Sequence, residues 1–383
     1  MIQQCMDVLA PVSHTDFLSH YHEQSSLHIE REASDYFQSL LSITDIEALL
    51  STGNQSFPGV QLVNAALDVP VSDYTDTDRN IIAHRLWGHY RAGATLVVSG
   101  AERRFSRLSD LCREVSRDFC MRSQTNVYLS PGSHQGFRPH YDTHDVFVLQ
   151  VVGSKLFRFY RSDVSLPFSE DTFPSDYTVD TTVQESILLT AGDTLYIPRG
   201  VVHDAVAQTD DPSLHITLGI FPVVVRDVLQ EMVQVAAENN VDFRRAVDLQ
   251  SPLSVETVQS LKQQLNAVFD QPLYERACSR LFDEVAVAMP PAAHHQLSPV
   301  AKCSTVTINR AAIFSAEREN THLKLRIAGQ VLEFNEPVAT AVQQLIDQGT
   351  VHVNDLHGLD QEQCIALLDQ LRRAGCILPE LDS

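Results

Sequence analysis

Two short stretches of this 383-residue chain carry the residue types from which a metal centre is built. The first runs from Asn126 to Asp142 and ends in His140-Tyr141-Asp142. Two residues apart on an extended strand, His140 and Asp142 point to one face and can take adjacent positions around an ion. The second runs from Gly192 to His203, where a turn, an apolar strand and Pro198-Arg199-Gly200 deliver a further imidazole. Two neutral imidazoles and one carboxylate suit non-haem Fe(II), and such a set leaves coordination positions open for a chelating co-substrate and O2. Alone, a His-X-Asp is an ordinary surface pair, and the run before His203 an ordinary turn and strand. Together, in this order and within one predicted barrel, they read as one metal site. Lys155 follows Asp142 by thirteen residues, after the turn Val152-Gly153-Ser154. On an edge strand it is a plain surface charge; in a barrel mouth it anchors the far carboxylate of a dicarboxylate. His134, His144 and His215 lie close in sequence; His134 and His144 read as surface residues or as neighbours of the ligands.

Positioning those side chains falls to short strands. From Thr125 to about Phe221, runs rich in Val, Ile, Phe, Tyr and Thr recur between Gly, Pro, Ser and Asp: 126–129, 146–152, 155–160, 185–189, 194–197 and 215–221. Strands at that spacing predict an antiparallel sandwich or barrel. Before them, Ser13 or Thr15 caps a helix at 16–21 and Ser42 opens one at 46–50. A strand is predicted at 60–67 and another at 94–98, with amphipathic helices at 77–86 and 108–119. From Val223 the apolar period becomes helical, with Val228, Leu229, Met232, Val235 and Ala236 on one face. Two further helices, 254–269 and 273–287, end at the breaker Met289-Pro290-Pro291, which marks a boundary. The last unit reads as a strand (305–308), a hairpin (323–327 and 331–334) and helices at 337–348, 353–356 and 360–374. There is no internal repeat.

Composition bounds the partners. A chain of 42.7 kDa is too long for one ordinary core, so two or three domains are expected. Its net charge of −21 argues against nucleic acid held through phosphates and favours a basic peptide or protein. Residues 299–383 hold seven Lys and Arg against eleven Asp and Glu, so a DNA-binding role is not expected of that unit. Seven cysteines, with no Cys-X-X-Cys, read as unpaired thiols of a reducing cytoplasm; Cys120 reads as a buried apolar residue. The first residues lack the pattern of a secretory signal, and no apolar run is long enough to predict a membrane span.

The motifs carry a resemblance. His140-Tyr141-Asp142 with Val146–Gln150, Gly153-Ser154-Lys155, Gly192–His203 and Ser213–Thr217 resembles the JmjC-type ribosomal oxygenases. Asn126–Pro131 and Asp242-Phe243-Arg244-Arg245 resemble in particular the branch that hydroxylates histidines of ribosomal proteins. The similarity extends over nearly the whole chain, and its motifs are specific to the family more than to any one substrate. It implies an α+β chain built on a double-stranded β-helix (cupin/JmjC-like) barrel with N-terminal helices. It divides the chain into a catalytic domain at 1–222, a helical dimerisation region at 223–298 and a winged-helix-like domain at 299–383. His140, Asp142 and His203 match the Fe(II) ligands. Lys155 matches the anchor of 2-oxoglutarate, with Thr217, Asn126 and Tyr128 lining the same pocket. Two departures stand out: residues 21–29 lack the family's aromatic-Lys-Pro segment, and Gly219 stands where the histidyl-hydroxylase branch carries a serine.

The reading that results is a cytoplasmic Fe(II)- and 2-oxoglutarate-dependent dioxygenase. It uses O2 to hydroxylate a His or Arg side chain of a protein substrate such as a ribosomal protein, works as a homodimer and binds neither DNA nor membrane. Two alternatives stay open: an oxygenase tailoring a precursor peptide or small molecule, and a non-catalytic peptide-binding or assembly protein.

Overall fold

The computed structural model describes residues 7–174, 177–246, 255–288, 303–309, 312–327 and 329–381. The breaker at Met289, the predicted boundary at 298–299 and the predicted helix start at Ser254 lie outside them. The chain divides into two compact units, Met1–Cys112 with Ser123–Pro222, and Arg113–Arg122 with Val223–Ser383.

Five helices belong to the N-terminal part: α1 (His14–His20), α2 (Ile43–Ser51), α3 (Val71–Tyr74), α4 (Ala83–Arg91) and α5 (Ser106–Phe119). Ser13, not Thr15, caps α1 by accepting the Asp16 N–H, and Ser42 and Asp45 form a reciprocal capping box on α2. The helix expected from residue 77 begins only at Ala83. Asp76 accepts the N–H groups of Asp78 and Asn80 and holds those residues in a turn, a local bond that competes with helix. Asn64 acts likewise on Ala66 and Leu67, which ends the strand expected over 60–67 at Val63. Trp87, the chain's one tryptophan, lies on α4 with its ring edge-on to Tyr90.

Ten strands follow in chain order: β1 (Leu27–Ile29), β2 (Val60–Val63), β3 (Thr95–Ser99), β4 (Arg122–Ser130), β5 (Asp145–Val152), β6 (Ser154–Tyr160), β7 (Val183–Thr190), β8 (Thr194–Ile197), β9 (His203–Ala207) and β10 (Ser213–Phe221). They form a seven-stranded sheet, β1-β8-β5-β10-β4-β3-β2, and a three-stranded sheet, β7-β6-β9; the smaller sheet is antiparallel, as are β1-β8-β5-β10 and β4-β3-β2 within the larger. Neither sheet closes on itself. The predicted barrel is therefore two open sheets, joined by a core that runs from Val146, Val148, Leu195 and Ile197 of the larger to Phe157, Phe159 and Leu189 of the smaller. Burying side chains of this size contributes about 1.5–3 kcal/mol each, so this core fixes β5 against β6.

The second unit contains α6 (Val225–Asn239), α7 (Val255–Val268) and α8 (Gln271–Ala288). Met232, Ala236, Val268 and Ala277 pack together among them. Then come β11 (Cys303–Ile308), β12 (Phe314–Glu319), β13 (His322–Ile327), β14 (Gln330–Asn335), α9 (Val338–Gln348), β15 (Thr350–His352), α10 (Gln361–Arg373) and β16 (Ile377–Leu381). The expected hairpin is a three-stranded meander, β12-β13-β14, and β15-β11-β16 form a second small sheet. The short helix expected at 353–356 is a single 3-10 turn, Val353–Asp355. Among the described residues no helix is long and apolar enough to cross a membrane; Cys112, Cys120, Cys278, Cys364 and Cys376 are free thiols, and Cys120, expected to be buried, is exposed.

Candidate metal centre and its pocket

His140 and Asp142 do not sit on a regular strand, as their spacing suggested; they lie on the segment that leads into β5. His140 makes one isolated bridge with His203, each N–H donating to the other's carbonyl at 3.0 and 2.8 Å. Asp142 then takes the Gly200 N–H on its carbonyl at 2.9 Å, so the segment is tied to the approach of β9 without a full ladder. The period-two alternation survives locally. Tyr141 turns away into an apolar cluster with Tyr160 and Val202, which leaves its two neighbours facing His203.

One ligand atom from each of His140, Asp142 and His203 lies within 4.8 Å of the others, and His203 Nε2 is 3.9 Å from Asp142 Oδ2. Both imidazoles are held by carbonyls: His140 Nδ1 is 2.9 Å from the Arg138 oxygen and His203 Nδ1 is 3.0 Å from the Val201 oxygen. A carbonyl only accepts, so each Nδ1 carries the proton and each Nε2 keeps its lone pair for a cation. Burial, and then neighbouring His140, hold the His203 pKa below its ordinary value, which keeps the ring neutral. The donor set therefore fits a divalent metal.

Around the triad opens a cavity of about 80 Å³, lined also by Asn126, Tyr128, Lys155 and Thr217. All seven side chains expected at the site thus border one space. Lys155, at the start of β6, is 4% exposed and donates to Ser130 Oγ at 3.1 Å; Ser130 and Thr95 exchange a hydroxyl contact of 2.9 Å. Burial lowers the ammonium pKa to about 7. His215 stacks on Tyr128 with centroids 4.8 Å apart, and burial together with Lys155 holds its pKa well below the usual value. Burial, and then Asp142, raise the Tyr128 pKa, so its hydroxyl stays protonated. Asn126 accepts the Gly100 N–H and spans the start of the pocket wall.

Ser130, Thr95 and His215 escaped the sequence reading as pocket residues. A signal existed for two of them. Asn126, Tyr128 and Ser130 alternate along β4, and His215 alternates with Thr217 along β10, so each lies at the next same-face position from an expected residue. Thr95 gives no such cue, because it reaches the pocket through the β3–β4 pairing of non-local strands. His144, read as peripheral, lines the cavity and stacks on Phe221 with centroids 4.6 Å apart.

Comparison with known proteins agrees with this architecture. Residues 101–228 match the JmjC domain model. The "bifunctional lysine-specific demethylase and histidyl-hydroxylase NO66" of Drosophila grimshawi is 30% identical over 258 residues, which cover 63% of this chain and 34% of that one. The protein of the same description from Dictyostelium discoideum is 27% identical, over 63% of this chain and 48% of its own. This chain thus spans between about a third and a half of these two relatives. The X-ray structure of Escherichia coli ycfD superposes with a TM-score of 0.59 at 14% identity, covering 96% of this chain and 98% of the other. A further structure of ycfD is described as a ribosomal oxygenase in complex with cobalt and 2-oxoglutarate, with a TM-score of 0.56 over 97% of this chain and 99% of that chain, also at 14% identity. Residues 101–228 thus match a JmjC domain, and the chain shares the fold of the ycfD structures.

Proposed function

We propose that the chain is an Fe(II)- and 2-oxoglutarate-dependent oxygenase that hydroxylates a side chain of a protein. The observation that carries this reading is the coexistence, in one cavity, of an open-sided His140–Asp142–His203 set and a buried lysine at the other end. His140, Asp142 and His203 would hold the iron. Bound there with O2 and 2-oxoglutarate, it supplies the power to place one oxygen atom into a C–H bond while the co-substrate leaves as succinate and CO2. The chain's own groups orient and protect. The Nδ1–carbonyl bonds fix both imidazoles, and Lys155 with Ser130 offers a cation and a hydroxyl to the distal carboxylate. Tyr128, Thr217 and Asn126 shape the walls between, and the apolar Val146, Val148 and Phe157 keep water from the reacting end.

The substrate reading is a His or Arg side chain of a ribosomal protein. The names of the related proteins, histidyl-hydroxylase and ribosomal oxygenase, support it. So does the net charge of −21, which favours a basic polypeptide. The helices α6–α8 read as a homodimer surface, since Val225, Leu229, Val233, Val258, Leu265 and Phe269 stay exposed. Residues 299–383 read as a winged-helix-like substrate-docking module, and the enzyme as cytoplasmic. Purified protein with Fe(II), O2, 2-oxoglutarate and a panel of ribosomal proteins tests the whole. Succinate formation with a mass gain of one oxygen on a single His or Arg residue is expected; 2-oxoglutarate left intact under every condition refutes it.

A further inference from the structure

A buried ion network links the N-terminal segment to the two chain segments that carry the triad. Arg199 is 6% exposed and lies four residues before His203; Asp145 is fully buried and lies three residues after Asp142. The Asp145 carboxylate takes the Arg199 backbone N–H at 2.8 Å and its guanidinium at 3.2 Å. The same guanidinium donates to the Pro167 carbonyl and to Glu23, from a segment more than a hundred residues away in sequence. Glu23 has a left-handed backbone (φ 58°), which side-chain-bearing residues rarely adopt, and its N–H donates to the Tyr196 hydroxyl at 3.0 Å. Phe17 seats that segment, edge-on to Tyr196 and tilted against Phe147. His22, Glu23 and Asp145 bring possible ligand atoms within 4.8 Å of each other. Arg199 already binds both carboxylates, however, so this is an ion network and no second metal centre.

We propose that Arg199, with Asp145 and Glu23, positions the metal ligands. Beyond the β5–β8 ladder, which pairs Val146 with Ile197, the two segments meet at the surface of the pocket through three backbone bonds, between His140 and His203 and from Gly200 to Asp142. Arg199 adds the side-chain clamp behind them. It locks the chain two residues beyond β8 onto the first residue of β5, and so sets how far His203 stands from Asp142. Glu23 holds the guanidinium from the opposite side, and its strained backbone is the sign that this contact is imposed by the surroundings. A planar fork is needed, because one cation must meet two carboxylates and a carbonyl at once. The N-terminal segment is thereby a brace of the metal centre and more than a cover of the sheet.

The inference rests on the reading of the triad as metal ligands, and one experiment separates the two. Co(II) is titrated into the purified full chain without co-substrate, with visible absorption and chelator competition as readouts and circular dichroism as the fold control. Arg199→Met is expected to weaken Co(II) binding roughly 10- to 100-fold, the cost typical of losing a partner behind metal ligands, and to change the band pattern. Glu23→Gln shifts both in the same direction by less. Arg199→Lys restores part of the affinity, because it keeps the charge and loses the fork. With metal saturating, affinity for 2-oxoglutarate stays that of the wild type, since Lys155 is untouched. A folded Arg199→Met and a folded Glu23→Gln with wild-type affinity and spectrum overturn the proposal. If Arg199→Met does not fold, Glu23→Gln, which leaves the Arg199–Asp145 pair in place, decides alone. No Co(II) binding by the wild type refutes the metal reading and this inference with it.

Discussion

At the scale of single residues, the pocket joins two different electrostatic problems. Asp142 contributes the one carboxylate of the triad, and its neighbour Tyr141 alone turns into the apolar cluster. Asp142→Ala is therefore expected to abolish metal binding and 2-oxoglutarate turnover while the melting temperature stays near that of the wild type; turnover at the wild-type rate would contradict the assignment. Lys155 faces the opposite difficulty: burial lowers its pKa to about 7, so the ammonium gives up part of its charge near neutral pH. A bound dicarboxylate favours the charged form, so binding takes up a proton. Affinity for 2-oxoglutarate should fall as pH rises above 7, by up to about tenfold per unit, and should not fall for this reason below 7. Calorimetric titrations in buffers of different ionisation enthalpy measure the uptake directly, and identical heats across buffers would rule it out. Lys155→Ala removes the cation and should weaken the co-substrate by roughly 2–4 kcal/mol; an unchanged apparent affinity would place the anchor elsewhere.

At the scale of elements, the turn between β5 and β6 is the most exacting link between fold and site. Gly153 has φ 69°, and a Cβ there would stand 2.4 Å from the Pro212 carbonyl oxygen, a backbone atom at the start of β10. Gly153→Ala should cost more than about 1 kcal/mol of stability. It should also weaken 2-oxoglutarate binding, because Lys155 follows two residues later; a thermal melt and a binding titration equal to wild type would show the turn to be tolerant. Much of this layer is legible in the sequence. Short runs rich in Val, Ile, Phe, Tyr and Thr located β5, β6, β8 and β10 within two residues; β5 and β8 are buried on both faces and so leave a near-continuous apolar signature. The three-residue β1 and the polar start of β9 left none, since their partners lie far away in sequence. The same limit applies to the site. The triad and Lys155 stand in local motifs, whereas Thr95 and the Glu23–Arg199 contact exist only once the strands have paired.

At the scale of the molecule, the exposed apolar side chains of α6–α8 call for a partner surface, and we propose that a second copy of the chain supplies it. Light scattering at micromolar concentration should give about twice the 42.7 kDa of one chain, and a mass near 42.7 kDa would refute the dimer. Replacing Leu229 and Leu265 by charged residues should return the protein to single chains, if those helices form the contact. The position of Trp87 has a practical consequence for such measurements. The sole indole belongs to the unit that carries the candidate metal centre, while more than a hundred and fifty residues of the other unit contain none. Intrinsic tryptophan emission is thus a built-in reporter of one half of the molecule. Followed during denaturation, it registers the loss of the unit that holds the candidate metal centre and is silent about the helices and small sheets beyond Val223, whereas far-ultraviolet ellipticity sums both. Where the two curves separate, the halves unfold on their own terms, and a single unfolding free energy ceases to describe the protein.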